Sequence, residues 1–296
     1  MKILAIIVSY NFMKWVDKCL GSLVASKTDC DIMVVDNGSA DETTAHIRQC
    51  YSQVILVENG RNLGFGRANN IGMEYAIAHN YDTVLLLNQD AWVQPDTLGR
   101  LVEVSSRHPD YGIISPVHLT RDCDKPERGF AEYSGIRQLD CQSDTDLVAV
   151  PFIDAAIWLL PVSAIRKVGM FAPLFYHYGE DKDMANRMVW HGLQIGYVPH
   201  CYGCHDREDR QLTRFSFFRA ERTYHLSQYA NINLSLPRAF ALGVLALGKK
   251  AAQQLMKGKL RDALTYTGIA FQLTARTMEV LKTRRQSKHV ELINYQ

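Results

Sequence analysis

The 296-residue chain reads as an α/β protein, a mostly parallel sheet flanked by helices and followed by a basic helical extension. Three observations predict this. Short apolar runs alternate with helix-length amphipathic segments through the first half. Polar, glycine-containing clusters mark the ends of those runs. From residue 206 onward only helical periodicity remains.

Residues 3–8, 32–35, 54–57 and 83–87 are brief and β-branched or leucine-rich, as strands buried on both faces are. Between them, Trp15, Cys19, Leu20 and Leu23 share one helical face, as do Ala68, Ile71, Tyr75 and Ala78. Alternation of this kind builds βαβ units, whose ligands bind beyond the carboxyl ends of the strands. The polar clusters sit there: Ser9-Tyr10-Asn11 after the first strand, Asp36-Asn37-Gly38-Ser39 after the second, and Asn88-Gln89-Asp90 after the fourth. Ser39-Ala40-Asp41-Glu42 also reads as a capping box opening the second helix. Residues 121–146 lack pattern and read as a long loop; 153–160 restore a strand, and a helix over 181–191 and a strand over 195–198 follow.

A domain over residues 1–205 and an extension over 206–296 result. In the extension, Leu260, Ala263, Leu264, Thr267, Phe271, Thr274, Met278 and Leu281 recur at helical spacing among lysines and arginines. The net charge of +2 hides a division: 16 Lys/Arg and 7 Asp/Glu give the extension +9, and the body carries −7. Such a tail suits an anionic surface, membrane or nucleic acid, or forms solvated helix faces and subunit contacts. Hydrophobic residues at 47% exclude a disordered chain. No run approaches the ~20 apolar residues of a membrane span, and residues 239–248 could at most lie in an interface. Seven scattered cysteines predict no disulfide framework, and no leader is evident, so a cytoplasmic location is the expectation.

Asp90, just past a buried strand, is placed to hold a hard divalent cation, although an Asp in a turn more often caps a helix. Gly179-Glu180-Asp181-Lys182-Asp183 opens a helix; its acids complement the helix dipole and could also include a general base. Cys201-Tyr202-Gly203-Cys204-His205 matches a haem-attachment signature, or half a zinc site with His200. Haem attachment needs export and zinc a second ligand pair, neither of which is evident, so His205 is left structural or a single imidazole ligand. The glycines of Gly60-Arg61-Asn62-Leu63-Gly64-Phe65-Gly66 before a helix suit a phosphate or a plain turn, but lack the dinucleotide fingerprint.

Together these motifs resemble the family 2 glycosyltransferases of GT-A fold, over residues 3 to about 205. Ile6-Ile7-Val8-Ser9-Tyr10-Asn11, Val34-Val35-Asp36-Asn37-Gly38-Ser39, Asn62-Leu63-Gly64-Phe65-Gly66-Arg67-Ala68-Asn69-Asn70, Leu87-Asn88-Gln89-Asp90, Gly169-Met170-Phe171, Gly179-Glu180-Asp181-Lys182-Asp183 and His205 carry the resemblance. It implies that Ser9 or Tyr10 lies beside the nucleotide base and that Asp36 binds the uracil or thymine ring or its ribose. Asn62, Gly64 and Asn69 would shape the pocket, with Asn11, Asn88, Gln89 and Glu180 completing the nucleotide-sugar set. Asp90 matches the last acid of the DxD metal motif, His205 a downstream ligand to Mg²⁺ or Mn²⁺, and Asp181 the base of the ED motif.

Asn88 replaces the first acid of DxD, which resembles the branch of rhamnosyltransferases using dTDP-rhamnose. The implied activity is an inverting, metal-assisted transfer of a hexose such as rhamnose from a dTDP- or UDP-sugar to a glycan or lipid-linked glycan during polysaccharide assembly. The tail then suits peripheral association with the inner face of the cell membrane, without nucleic acid, and an oligomer stays open. A sugar-phosphate nucleotidyltransferase is the first rival, but Ser9-Tyr10-Asn11-Phe12 is not the basic glycine loop it needs. A non-enzymatic membrane or nucleic-acid binder leaves the acids at the strand ends unexplained.

Overall fold

A period of two decides how the first strand must be covered. In β1 (Ile3–Ser9), Leu4 and Ile6 enter one apolar layer while Ile3, Ala5 and Ile7 enter another, so helices are needed on both faces. The computed structural model describes residues 1–136, 138–139, 145–207 and 213–289; parts of the expected 121–146 loop and of the extension therefore lie outside the described residues. After β1 come α1 (Val16–Val24), β2 (Asp31–Asp36), α2 (Thr43–Cys50), β3 (Ile55–Glu58), α3 (Phe65–Ala78) and β4 (Thr83–Leu87). β3, β2, β1 and β4 lie side by side and parallel, the βαβ arrangement expected.

The rest of the sheet is mixed. β5 (Ala91–Val93), α4 (Thr97–Arg107), β6 (Tyr111–Leu119), α5 (Arg128–Ser134), β7 (Val148–Ala149), β8 (Ile157–Pro161), α6 (Val162–Val168), α7 (Glu180–Trp190) and β9 (Gln194–His205) follow. The strand order is β3-β2-β1-β4-β8-β6-β9-β5, with β7 also on β9. β8 runs antiparallel to β4 and β6, and β9 runs parallel to β6 but antiparallel to β5. The GT-A architecture of a mostly parallel sheet flanked by helices is thus present, together with a helical C-terminal region.

That region comprises α8 (Arg214–Ala230), α9 (Leu236–Phe240), a π-helical stretch Ala241–Leu245, α10 (Ala246–Met256), α11 (Leu260–Ala275) and α12 (Thr277–Lys288). Its core joins Leu226, Tyr229, Leu247, Tyr266 and Leu273 to Leu174 and Phe175 of the preceding segment.

Several local expectations change. The strand at 195–198 is 12 residues long, because β9 bulges past His200 at φ 55° and continues along β6 and β5. The strand expected over 153–160 begins at Ile157, and α5 interrupts the expected 121–146 loop. No capping box forms: α2 starts at Thr43, and the Ser39 hydroxyl donates to Asp36 instead. The buried face of α3 is Ala68, Gly72, Met73 and Ala76, with Gly72 so close on Ile6 that a Cβ would lie 2.6 Å from it. In the extension two helices replace one, and most of the expected stripe faces outward: Leu260, Leu264, Phe271 and Met278 are exposed, whereas its member Ala263 packs inward with Tyr266, Ile269 and Leu273. Cys123 and Cys204, 81 residues apart, form a disulfide, since β6 and β9 bring Leu119 opposite Cys204. That pairing removes Cys204 from the haem and zinc readings, and Cys201 is buried against Thr97.

α7 is tied down by an ion pair with almost no exposure. Arg187 Nε donates to Asp183 Oδ2 at 2.8 Å, and its Nη1 donates to Val168 O at 2.9 Å. Burial raises the Asp183 pKa, and Arg187 opposes the rise. Removing one member strands a buried charge, so Asp183→Ala is expected to cost about 3–5 kcal/mol, read as a lower thermal midpoint.

Candidate active site

The carboxyl ends of β1, β2 and β4 open into a cavity of about 640 Å³, within the roughly 300–1,000 Å³ usual for small-molecule sites. Its floor is organised by side chains that close on the backbone. Gln89 accepts from Tyr10 N at 2.8 Å and donates back to Tyr10 O, fixing the loop after β1 to the loop after β4. Asn62 Oδ1 caps Gly64 N at 2.9 Å, and Asn37 donates to Gly64 O. Gly64 holds φ +84°, and a Cβ there would stand 2.1 Å from Tyr176 O; only glycine permits that approach.

Asp90 and His205 meet through strand register. β5 and β9 pair antiparallel with Ala91 opposite His205, and Asp206 N donates to Asp90 O at 2.8 Å. His205 Nε2 then lies 3.4 Å from Asp90 Oδ1, and its Nδ1 lies 3.1 Å from Glu127 Oε2. Burial disfavours the imidazolium, but hydrogen bonds to Asp90 and Glu127 outweigh it and raise the His205 pKa to about 9.

Behind this pair, Arg207 bridges Glu127 and Asp154, at 3.5 and 2.5 Å. Asp154 also accepts from the Tyr133 hydroxyl and sits beside His118. Burial would push its carboxyl up, but His118, Tyr133 and Arg207 prevail and hold it well below the usual range. His118, Glu127 and Asp154 present ligand atoms within 4.8 Å of one another. Two of these three already share the Arg207 guanidinium, which offsets their charge within the chain; of the three only Asp154 lines the cavity, whereas Asp90 and His205 both do.

The third group comes from the start of α7. Asp181 faces the cavity with its pKa raised to about 6, first by burial and then by the Asp154 charge, against the Lys182 backbone N–H and Arg207. Glu180 is 4% exposed, has an Oε2 without a hydrogen-bond partner among the described residues, and is raised to about 7 by burial and by Asp181. Tyr178, at φ 70°, and Gly179, at φ 92°, make the turn into this helix, a sparsely populated backbone for tyrosine.

Of the residues expected from sequence, Tyr10, Asn62, Gly64, Asn88, Gln89, Asp90, Glu180, Asp181 and His205 line this one cavity. Ser9, Asn11, Asp36 and Asn69 do not. Ser9 and Asp36 are buried and bonded to each other at 2.8 Å, Asp36 also accepts from Gly38 and Ser39, Asn11 accepts from Ala40 N, and Asn69 donates to Phe65 O. They brace the loops whose neighbours form the wall. Sequence reasoning missed Asp154, a lone acid in the apolar run Ile153–Ile157, and the cavity-lining Arg207, Arg219, Arg222 and Arg276, which carry no local motif.

Carboxylates and an imidazole thus gather at the strand ends of a mostly parallel sheet. Residues 4–168 match the model described as Glycosyl transferase family 2, and the chain belongs to that family. It is 28% identical over 227 residues to an N-acetylglucosaminyl-diphospho-decaprenol L-rhamnosyltransferase of Mycobacterium tuberculosis (strain CDC 1551 / Oshkosh), covering 65% of this chain and 72% of the relative. Its fold is similar to that of the mannosyltransferase PcManGT from Pyrobaculum calidifontis in complex with GDP-Man and Mn²⁺, at TM-score 0.61 and 18% identity over 100% of this chain and 88% of that one. It is also similar to GalNAc-T7 with UDP, GalNAc and Mn²⁺, at TM-score 0.58 and 14% identity over 76% of this chain; there it spans 48% of the other chain.

Proposed function

We propose that this glycosyltransferase moves a sugar, rhamnose as the first choice, from a dTDP- or UDP-linked donor to a hydroxyl of a lipid-linked glycan, with inversion. The observation that carries the reading is the convergence of Asp90–His205 and Asp181 on one cavity at the strand ends. The rhamnosyltransferase relative supports the sugar and the acceptor class.

Asp90 Oδ1 and His205 Nε2, an oxygen and an imidazole nitrogen 3.4 Å apart, suit one Mg²⁺ or Mn²⁺. Such a cation neutralises the charge that develops on a departing diphosphate. Glu127, on Nδ1, orients the imidazole so that Nε2 faces Asp90. Asn88 is neutral and adds no charge to this pair, so a bound cation would draw the rest of its charge balance from the donor's phosphates. Tyr10, Asn62, Gly64 and Gln89 shape the nucleotide end, with Ser9, Asn11, Asp36 and Asn69 holding their loops.

Asp181 takes the acceptor proton. The acceptor oxygen bonds the anomeric carbon as the bond from that carbon to the phosphate oxygen breaks, the nucleoside diphosphate leaves, and attack from the opposite face inverts the centre. A base near pKa 6 is ionised at neutral pH yet more basic than an ordinary carboxylate.

Asp181→Asn is expected to lower kcat by at least about 10²–10⁴ while the thermal shift given by donor plus Mn²⁺ persists; retained turnover would remove Asp181 from this role. Because the base must be deprotonated, wild-type kcat/KM should fall about tenfold per pH unit below pH 6, the value for Asp181. A flat profile down to pH 5 would contradict the assignment.

The reading includes peripheral attachment to the membrane that holds such acceptors. Among the described residues no helix is long and apolar enough to cross a membrane. Leu260, Leu264 and Phe271 are exposed and fall within about 40° on α11, beside exposed Lys257, Lys259 and Arg261. Apolar side chains with flanking cations suit an anionic leaflet. Leu264→Asp/Phe271→Asp should reduce co-sedimentation with vesicles containing phosphatidylglycerol without changing the thermal midpoint; unchanged binding would exclude this face.

A further inference from the structure

The cavity has a basic wall that the chemistry above leaves unused. Arg219 and Arg222 come from α8 and Arg276 from the junction of α11 and α12. Arg276 is fixed by donating to Leu174 O at 2.9 Å and to Glu279 at 2.8 Å. Arg219 and Arg222 pair with no carboxylate among the described residues, whereas Arg207, deeper in, is matched by Glu127 and Asp154. Neighbouring cations without counter-charge, as Arg219 and Arg222 are among the described residues, repel one another unless an anion joins them.

Their place in the cavity indicates which anion. The Arg219 guanidinium lies 5.0 Å from the centre of the Tyr178 ring, and Tyr178 stands three residues before Asp181. This is the end at which the proposed base meets the acceptor, while Asp90 and His205 meet the donor. Along α8, Phe215, Arg219, Arg222 and Leu226 recur at spacings of four, three and four and so share one face. That face runs from the buried, cavity-lining Leu226 through the two arginines to Phe215, which is 76% exposed.

We propose that Arg219, Arg222 and Arg276 form a subsite for the diphosphate of a lipid-diphosphate acceptor, whose prenyl chain leaves the cavity along Phe215. Planar guanidinium groups match phosphate oxygens in pairs, which lysines do not. The inference rests on the acceptor class proposed above. The donor's diphosphate is the other source of the same chemistry, and the experiment separates the two.

The test uses the full chain, a short-chain prenyl-diphosphate N-acetylglucosamine and neutral octyl N-acetylglucosaminide as acceptors. Arg219→Gln/Arg222→Gln should raise KM for the diphosphate acceptor at least about tenfold per residue, leaving the neutral acceptor and the donor Kd unchanged. An unchanged KM overturns the proposal, and so does a donor Kd that weakens in parallel. Should the wild type glycosylate neither acceptor, the acceptor class itself has failed, and titration with farnesyl diphosphate then decides the subsite. Weaker binding by the double variant sustains it, and equal binding rejects it.

Discussion

β9 first runs parallel to β6, bulges at His200, and ends antiparallel to β5. That change of partner sets Ala91 opposite His205 and brings the imidazole to Asp90, 115 residues earlier in the chain. A shift of one residue would turn His205 to the other face of the sheet. Much else follows from this pairing, since Arg207, two residues beyond, reaches Glu127 and Asp154 from the same strand end. The cavity therefore depends on backbone hydrogen bonds made outside it.

Charge inside the cavity is divided by distance from the sheet. Near the strands, carboxylates outnumber cations, and the Arg207 guanidinium offsets only part of the excess. Toward the helical extension, arginines outnumber acids. Such a gradient favours a cation at the acidic end and an anion at the basic end. It also accounts for the raised Asp181 and Glu180 pKa values, because both lie where burial and neighbouring acids coincide.

The parallel half of the fold was legible because buried strands are written as unbroken apolar runs, and 83–87 matches β4 to the residue. Asp90 was legible because it follows such a run, and Asp181 because three acids open one helix, while His205 closes the strand after it. The phase of the amphipathic tail was not: both Leu260–Leu264–Phe271 and Ala263–Tyr266–Ile269–Leu273 have helical spacing, and only tertiary packing chooses between them. Nor was the role of Ser39, since Asp36 competes for its hydroxyl across the turn. The disulfide and the basic wall join residues far apart in sequence, so no local pattern announces them.

The family match ends at residue 168, yet the cavity needs Arg219, Arg222, Leu226 and Arg276. The extension therefore contributes part of the cavity wall. Exchange of the helices from α8 onward would change this basic wall while leaving Asp90, Asp181 and His205 in place. In a fold of this kind, one wall of the cavity can vary as an exchangeable cassette, constrained where Ala172, Leu174 and Phe175 pack against it and where Asn186 and His191 bond to it.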